Sequence, residues 1–334
     1  MSFDMHSHFI PQEFIDTISK PGSKFQAKLV MKGDEPWILH DQGYGYPLTP
    51  GFHKTTVRLA DMARTKLDMA AVSAAPTLFY YYADPKLALD IAKMTNDGIY
   101  GLTKEHPDKF VGMGTLPMQD VELATKELRR CVRDLGFKSI QIGSHVEWTQ
   151  FDDPKFVPFF KECEELGVFI LFHPYYVGTK EMFSKYYLTN LYGNPLDTAV
   201  TISSLIFGGV LDKCPGLKVA FTHGGGFFPY QIGRLKHGYE VRQEPKVNGA
   251  KSPEKYMHQL YFDTIVFMEK QLRFLVDLAG ADHVLIGTDY AFDMAEAAPV
   301  DFVRGAGLTD AQVKAILSDN AQKIFATPAV AAAR

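Results

Sequence analysis

The chain has 334 residues, 46% of them hydrophobic and 22% charged, the balance of a globular protein able to bury a large core. Its formal net charge of −4 leaves no basic surplus for phosphate backbones or anionic lipid, which argues against nucleic acid and membrane surfaces as partners. The start MSFDMHSHFI has no leader character and no window reaches the roughly 18 to 20 apolar residues that span a bilayer, so the expected location is the cytoplasm. Cys131, Cys163 and Cys214 are scattered and form no CxxC pair, so neither a disulfide framework nor a thiolate metal site is expected.

In chain order, short β-branched and apolar runs recur, each followed by turn residues and a stretch of helical periodicity, the pattern of βα units around a parallel sheet. The first run covers residues 3–9. Residues 20–53, rich in Gly, Pro, Tyr and Lys, interrupt the rhythm before a second run at 69–76 and a helix over 85–104. Runs at 110–116 and 139–143 flank a helix over 120–134, and a helix over 153–166 leads to the fifth run, 168–173. A Tyr-rich stretch, 174–194, interrupts again. A helix over 195–211, a run at 218–223, a helix over 229–240 and runs at 260–263 and 284–289 complete eight strands. This alternation predicts an α/β fold, a single (β/α)8 TIM-type barrel over residues 1–334. No GxGxxG follows the first run, so a dinucleotide-binding sheet loses its main support. The two interruptions are expected as insertion loops after strands 1 and 5, lying over the active-site mouth. The Ala-rich stretch 327–334 is expected to fray.

Asp4, His6 and His8 alternate on the first strand and share a face. Imidazoles about 7 Å apart along a strand converge on one ion only near a strand end, which Phe9 and Pro11 mark here. VFILFHP closes the fifth strand with His173, KVAFTHGGG the sixth with His223, and VLIGTDY the eighth with Asp289. Polar residues at the carboxyl ends of barrel strands point into one mouth, where barrel enzymes place their chemistry. Imidazole and carboxylate donors without thiolates suit zinc, with Mn2+ or Fe2+ as alternatives, and leave a position open for water or substrate. Phe79 and Tyr80 to Tyr82 follow strand two, and Tyr175 and Tyr176 follow strand five. Their rings suit a planar ligand at the mouth, with Tyr80 and Tyr175 as candidate contacts.

The HxH of the first strand, FHP, THGGG and GTDY, together with QIGSH, GRL and SDNAQKIF, resemble the amidohydrolase superfamily. Within it they resemble the branch containing 2-amino-3-carboxymuconate-6-semialdehyde decarboxylase and the benzoate-type decarboxylases. The likeness covers nearly the whole chain. It implies that His6, His8, His173 and Asp289 ligate one metal while His223 stays outside and, with Asp289, handles protons. It implies a mononuclear site, because the fourth strand ends in Gly143, Ser144 and His145 where two-metal hydrolytic relatives often keep a lysine. It also implies that Arg234 reaches a partner subunit's pocket to hold a substrate carboxylate, and hence a homodimer or higher homo-oligomer. The sequence departs from the branch in the first insertion. There the semialdehyde decarboxylase has an arginine upstream of the position of Arg58, and residues 41–50 here read DQGYGYPLTP, with Tyr44 or Tyr46 in its place. Tyr46 is therefore a candidate substrate contact, and a ring compound carrying fewer charges than a dicarboxylate becomes a plausible ligand beside a muconate-like one.

The implied activity is metal-dependent, non-oxidative decarboxylation of an aromatic or muconate-like carboxylic acid, with that small acid as the partner molecule. The alternative is a metal-dependent hydrolase of C–C or C–N bonds, or a hydratase, in which His223 and Asp289 take a proton from water.

Overall fold

The computed structural model describes residues 1–175 and 182–325. Strand β1 (Phe3–Phe9) opens a barrel. After helix α1 (Gln12–Ile18) comes a small antiparallel sheet of β2 (Ala27–Lys32), β3 (Glu35–His40) and β4 (Gly45–Pro47). Helix α2 (Thr55–Arg64) returns the chain to the barrel strands β5 (Met69–Ala74), β6 (Phe110–Gly114), β7 (Ser139–Gly143), β8 (Phe169–His173), β9 (Val219–Phe221), β10 (Leu260–Asp263) and β11 (Val284–Leu285). Neighbours pair in parallel in the order β1, then β5 to β11. The last strand meets the first through Met5 N–H to the Ile286 carbonyl (2.9 Å), Thr288 N–H to the His6 carbonyl (3.3 Å) and a parallel bridge between Ser7 and Tyr290.

The helices that wrap the barrel are α3 (Pro85–Glu105), α4 (Val121–Arg133), α5 (Val157–Glu165), α6 (Asn194–Phe207), α7 (Val210–Lys213), α8 (Phe228–Val241) and α9 (Glu269–Ala279). Side-chain caps define two of the starts: the Asp84 carboxylate accepts from Lys86 and Leu87 N–H, and Asp120 accepts from Glu122 and Leu123 N–H. Branched residues on the outward strand faces, such as Ile140, Ile142, Ile170 and Val219, pack against Ile99, Leu128, Phe160 and Ile206 of the helices. Inside, Phe3, Met5, Met113, Phe169, Leu171 and Leu285 fill the lower barrel. Phe169, Leu171 and His173 share one face of β8, so filling the bottom with the first two sets the third at the top.

The expected barrel is present, with three differences. The first insertion is a three-stranded sheet rather than a loop. Lys32 pairs with Glu35 across a Gly33-Asp34 turn, with Gly33 at φ +62°, and the sheet sits over a second apolar cluster of Ile10, Phe14, Phe25, Ile38, Leu48, Phe52 and Tyr80. The helix expected over 195–211 breaks into α6 and α7 at Gly208-Gly209, where Gly209 has φ +71°. The runs expected to end at His223 and Asp289 form shorter strands, Val219–Phe221 and Val284–Leu285, and His223 and Asp289 themselves stand in the left-handed region at φ +54° and +60°. In the second insertion, residues 182–188 form turns and Thr189–Gly193 a π-type turn that runs into α6. Tyr176 and residues 327–334 lie outside the described residues.

Candidate metal centre

The ladder between β1 and β5 shifts register between Asp4 and Ser7, and this irregularity brings two imidazoles of one strand together at the barrel mouth. His6 and His8 lie edge to face with ring centroids 4.9 Å apart and their Nε2 atoms 3.0 Å apart. His173 closes the group from β8, with centroids 5.2 Å from His6 and 5.0 Å from His8. Asp289 Oδ1 faces all three Nε2 atoms, at 2.9 Å from His8, 3.4 Å from His6 and 3.9 Å from His173. One donor atom from each of these four buried residues lies within 4.8 Å of the others.

The protons are accounted for on the far side of the rings. His8 Nδ1 donates to the Ala74 carbonyl (3.1 Å) and His173 Nδ1 to the Pro174 carbonyl (2.9 Å), and a carbonyl can only accept. His6 Nδ1 donates to the Asp263 carboxylate at 2.8 Å. The three Nε2 atoms therefore turn lone pairs toward one another, and the buried His173 Nε2 has no hydrogen-bond partner. Lone pairs 3.0 Å apart repel unless a cation lies between them, so this donor set fits a divalent metal. Electrostatics favour the neutral form at two of the three rings. Burial lowers the His8 pKa, and burial lowers that of His173 to about 3, leaving both neutral, whereas at His6 the Asp263 and Asp289 carboxylates outweigh burial and raise it.

His223 is on a tight turn after β9 and stands outside the four. Its Nε2 is 3.4 Å from Asp289 Oδ2, the oxygen turned away from the His8 contact, and its Nδ1 is 3.2 Å from Thr222 Oγ1. Above these residues opens a cavity of about 1120 Å³. His173, His223 and Asp289 are in its walls, with Trp37, Tyr44 and Tyr46 of the inserted sheet, Phe52, Tyr175 and Phe292. The Tyr46 hydroxyl accepts from Thr77 Oγ1 at 2.7 Å.

Two sequence candidates do not join this cavity. Tyr80 is buried in the cluster under the inserted sheet, where its hydroxyl donates to the Phe25 carbonyl at 2.6 Å, and it does not line the cavity. Its ring supports the sheet rather than a ligand. Arg234 is exposed on α8 and borders a separate cleft with Gln231 and Glu244. Two residues take supporting roles that the sequence did not assign, although Asp4 shares the strand-face pattern of His6 and His8. Asp263, the last residue of β10, holds His6 and also accepts from Gly224 N–H (2.8 Å). Asp4, beneath His6, accepts from Thr288 Oγ1 (2.6 Å) and His6 N–H (3.0 Å), and burial pushes its pKa up to about 6 against those bonds. A carboxylate at the carboxyl end of a barrel strand was the available signal for Asp263.

The family model described as Amidohydrolase matches residues 3–327. The chain belongs to the amidohydrolase family. This amidohydrolase is 37% identical over 301 residues to 2-amino-3-carboxymuconate-6-semialdehyde decarboxylase of Dictyostelium discoideum, covering 90% of this chain and 84% of that one. In fold it is similar to the IDCase of Metarhizium anisopliae, with a TM-score of 0.86 at 20% identity over 98% of this chain and 97% of the other. A dihydroxybenzoic acid decarboxylase from Polaromonas, solved with bound manganese and 2-nitroresorcinol, superposes with a TM-score of 0.81 at 24% identity, covering 97% and 96%. Among the described residues of the amidohydrolase, no helix is long and apolar enough to cross a membrane.

Proposed function

We propose that this chain is a mononuclear, zinc-dependent carboxy-lyase that removes CO2, without oxidation, from an aromatic or muconate-like carboxylic acid. The observation that carries this reading is the meeting of three imidazole nitrogens and Asp289 at the floor of an aromatic-walled cavity, with His223 beside them. The decarboxylase identity of the Dictyostelium relative supports it. The Polaromonas neighbour holds manganese; three nitrogens and one oxygen at close range suit zinc here. When bound, the ion supplies Lewis-acid polarisation of an oxygen on the substrate.

The protein's own groups do the rest. Asp289 Oδ2 orients the His223 imidazole and holds its proton. As the bond between ring carbon and carboxyl carbon breaks, its electron pair stays on the ring carbon, His223 delivers a proton there, and CO2 departs. The rings of Trp37, Tyr46 and Tyr175 hold the substrate plane and exclude water.

The arginines that line the cavity are committed elsewhere. Arg58 donates to Ser7 Oγ and to the His8 and Gly51 carbonyls, and Arg64 pairs with Asp61 at 3.0 Å. A substrate with one carboxylate on an otherwise uncharged ring fits these walls better than a dicarboxylate. Arg234, outside its own cavity, serves a partner's pocket in a symmetric dimer, where its planar fork holds the substrate carboxylate. Incubating the zinc-loaded protein with a panel of hydroxybenzoic and muconic semialdehyde acids tests the reading. Stoichiometric CO2 and a product one carbon shorter are expected, whereas products that have gained the elements of water with no CO2 would move the chain to the hydrolase or hydratase class.

A further inference from the structure

We infer that Asp197 is a positioning residue of the metal centre, acting on His173 through the peptide group between Pro174 and Tyr175. The inference rests on the reading of His173 as a metal ligand. The carbonyl of that peptide group accepts the His173 Nδ1 proton at 2.9 Å. The N–H of the same group, belonging to Tyr175, donates to Ser144 Oγ at 3.0 Å and to Asp197 Oδ2 at 3.3 Å. The Ser144 hydroxyl donates to that same Asp197 oxygen. A line of donors and acceptors thus runs from the carboxylate through one amide to the imidazole, all dipoles aligned.

Alignment of this kind has a chemical consequence. A negative charge on Asp197 polarises the amide, strengthens the hold of its carbonyl on the Nδ1 proton and raises electron density at Nε2, the atom that faces the other three donors. His173, Tyr175, Ser144 and Asp197 are all buried, so solvent screens little of this effect. Burial pushes the Asp197 carboxyl up to about 6 against the pull of Ser144 and Tyr175, and at pH 8 it is ionised. Its other oxygen faces His145 Nε2 at 3.8 Å.

Three separate elements fix the geometry. Asp197 lies in the first turn of α6, Ser144 directly follows β7, and Pro174 and Tyr175 directly follow β8. Thr201, one turn along α6, donates to the Ser144 carbonyl at 2.8 Å and ties helix to strand. His6 has a carboxylate directly on its ring, whereas His173 has one at the distance of a peptide unit. The Ala74 carbonyl that holds His8 is backed instead by the Gln141 amide at 2.9 Å. The same peptide group also anchors Tyr175 in the cavity wall, so Asp197 sets one ligand and one substrate-facing ring together.

The test is zinc affinity at pH 8, by competition with a chromogenic chelator, for wild type, Asp197→Asn and Ser144→Ala, together with the visible spectrum of each protein loaded with Co2+. Asp197→Asn keeps the shape and removes the charge. It should weaken zinc binding by about tenfold or more and move the Co2+ bands, while the melting temperature of the metal-free protein changes little. Ser144→Ala should weaken zinc by a smaller factor. Affinity and Co2+ spectrum in Asp197→Asn equal to wild type overturn the inference, and if that variant does not fold, unchanged affinity in Ser144→Ala overturns it. A wild-type protein that binds no zinc or cobalt would instead remove the metal-centre reading itself.

Discussion

The floor and the roof of the cavity are built in opposite ways. On the floor every group has a partner on its far side: Asp263 behind His6, the Ala74 carbonyl behind His8 and the Pro174 carbonyl behind His173, all buried and all on or directly after barrel strands. The roof is a short antiparallel sheet and the turns of residues 182–193, where Tyr186 is 83% exposed and Trp37, Tyr44 and Tyr46 are half-buried. A rigid barrel with doubly held donors suits chemistry that tolerates no displacement, whereas a thin sheet with aromatic faces can change its residues without disturbing the donors. Under the proposed function, reaction type belongs to the floor and substrate choice to the roof.

Substitutions graded across the two regions probe this division. On the floor, Asp289→Ala removes the residue that faces both the imidazole cluster and His223. It should abolish turnover and leave less than one metal ion per two chains, measured by elemental analysis of the purified protein. Full activity after exhaustive chelation would contradict the metal centre outright. His223→Ala should keep its metal and lower kcat by roughly two to four orders of magnitude. Loss of metal in that variant would make His223 a ligand.

Arg234→Ala, at neither floor nor roof of its own cavity, should bind metal normally and lose roughly one hundredfold in kcat/KM. Mixed dimers of this chain with His223→Ala should recover part of the activity, since one pocket would pair an intact His223 with the partner's intact arginine. No recovery in verified mixed dimers would confine Arg234 to its own subunit. On the roof, Tyr46→Phe deletes the hydroxyl bonded to Thr77 and should raise KM roughly fivefold with kcat and metal content unchanged. A large fall in kcat from that change would mean that the roof takes part in the chemistry.

The floor was legible in the sequence because His6 and His8 alternate on one strand and His173 and Asp289 sit where apolar runs end, so the four could be read as one constellation from the sequence alone. The barrel followed from the same alternation. What sequence reading missed depends on contacts between elements distant in the chain. Asp197 looks like any residue in the first turn of a helix, and only the fold brings it to Tyr175 N–H. The sheet over 27–47 did carry a local signal, alternating runs on either side of a two-residue Gly33-Asp34 turn, but the Gly, Pro and Lys content of the segment obscured it. Tyr80 and Tyr46 look alike as mouth tyrosines, and burial under the sheet separates them.

Arg58 joins the two regions with one side chain. Its buried guanidinium binds the His8 carbonyl and the Ser7 hydroxyl on the ligand strand and the Gly51 carbonyl where the inserted segment rejoins the barrel, and it lies over the Tyr290 ring at 4.8 Å. Burial lowers its pKa to about 10, so the charge persists under ordinary conditions. One guanidinium therefore carries strain between the two regions: a change in the inserted segment that displaced the Gly51 carbonyl would be felt at the His8 carbonyl, because the same side chain holds both.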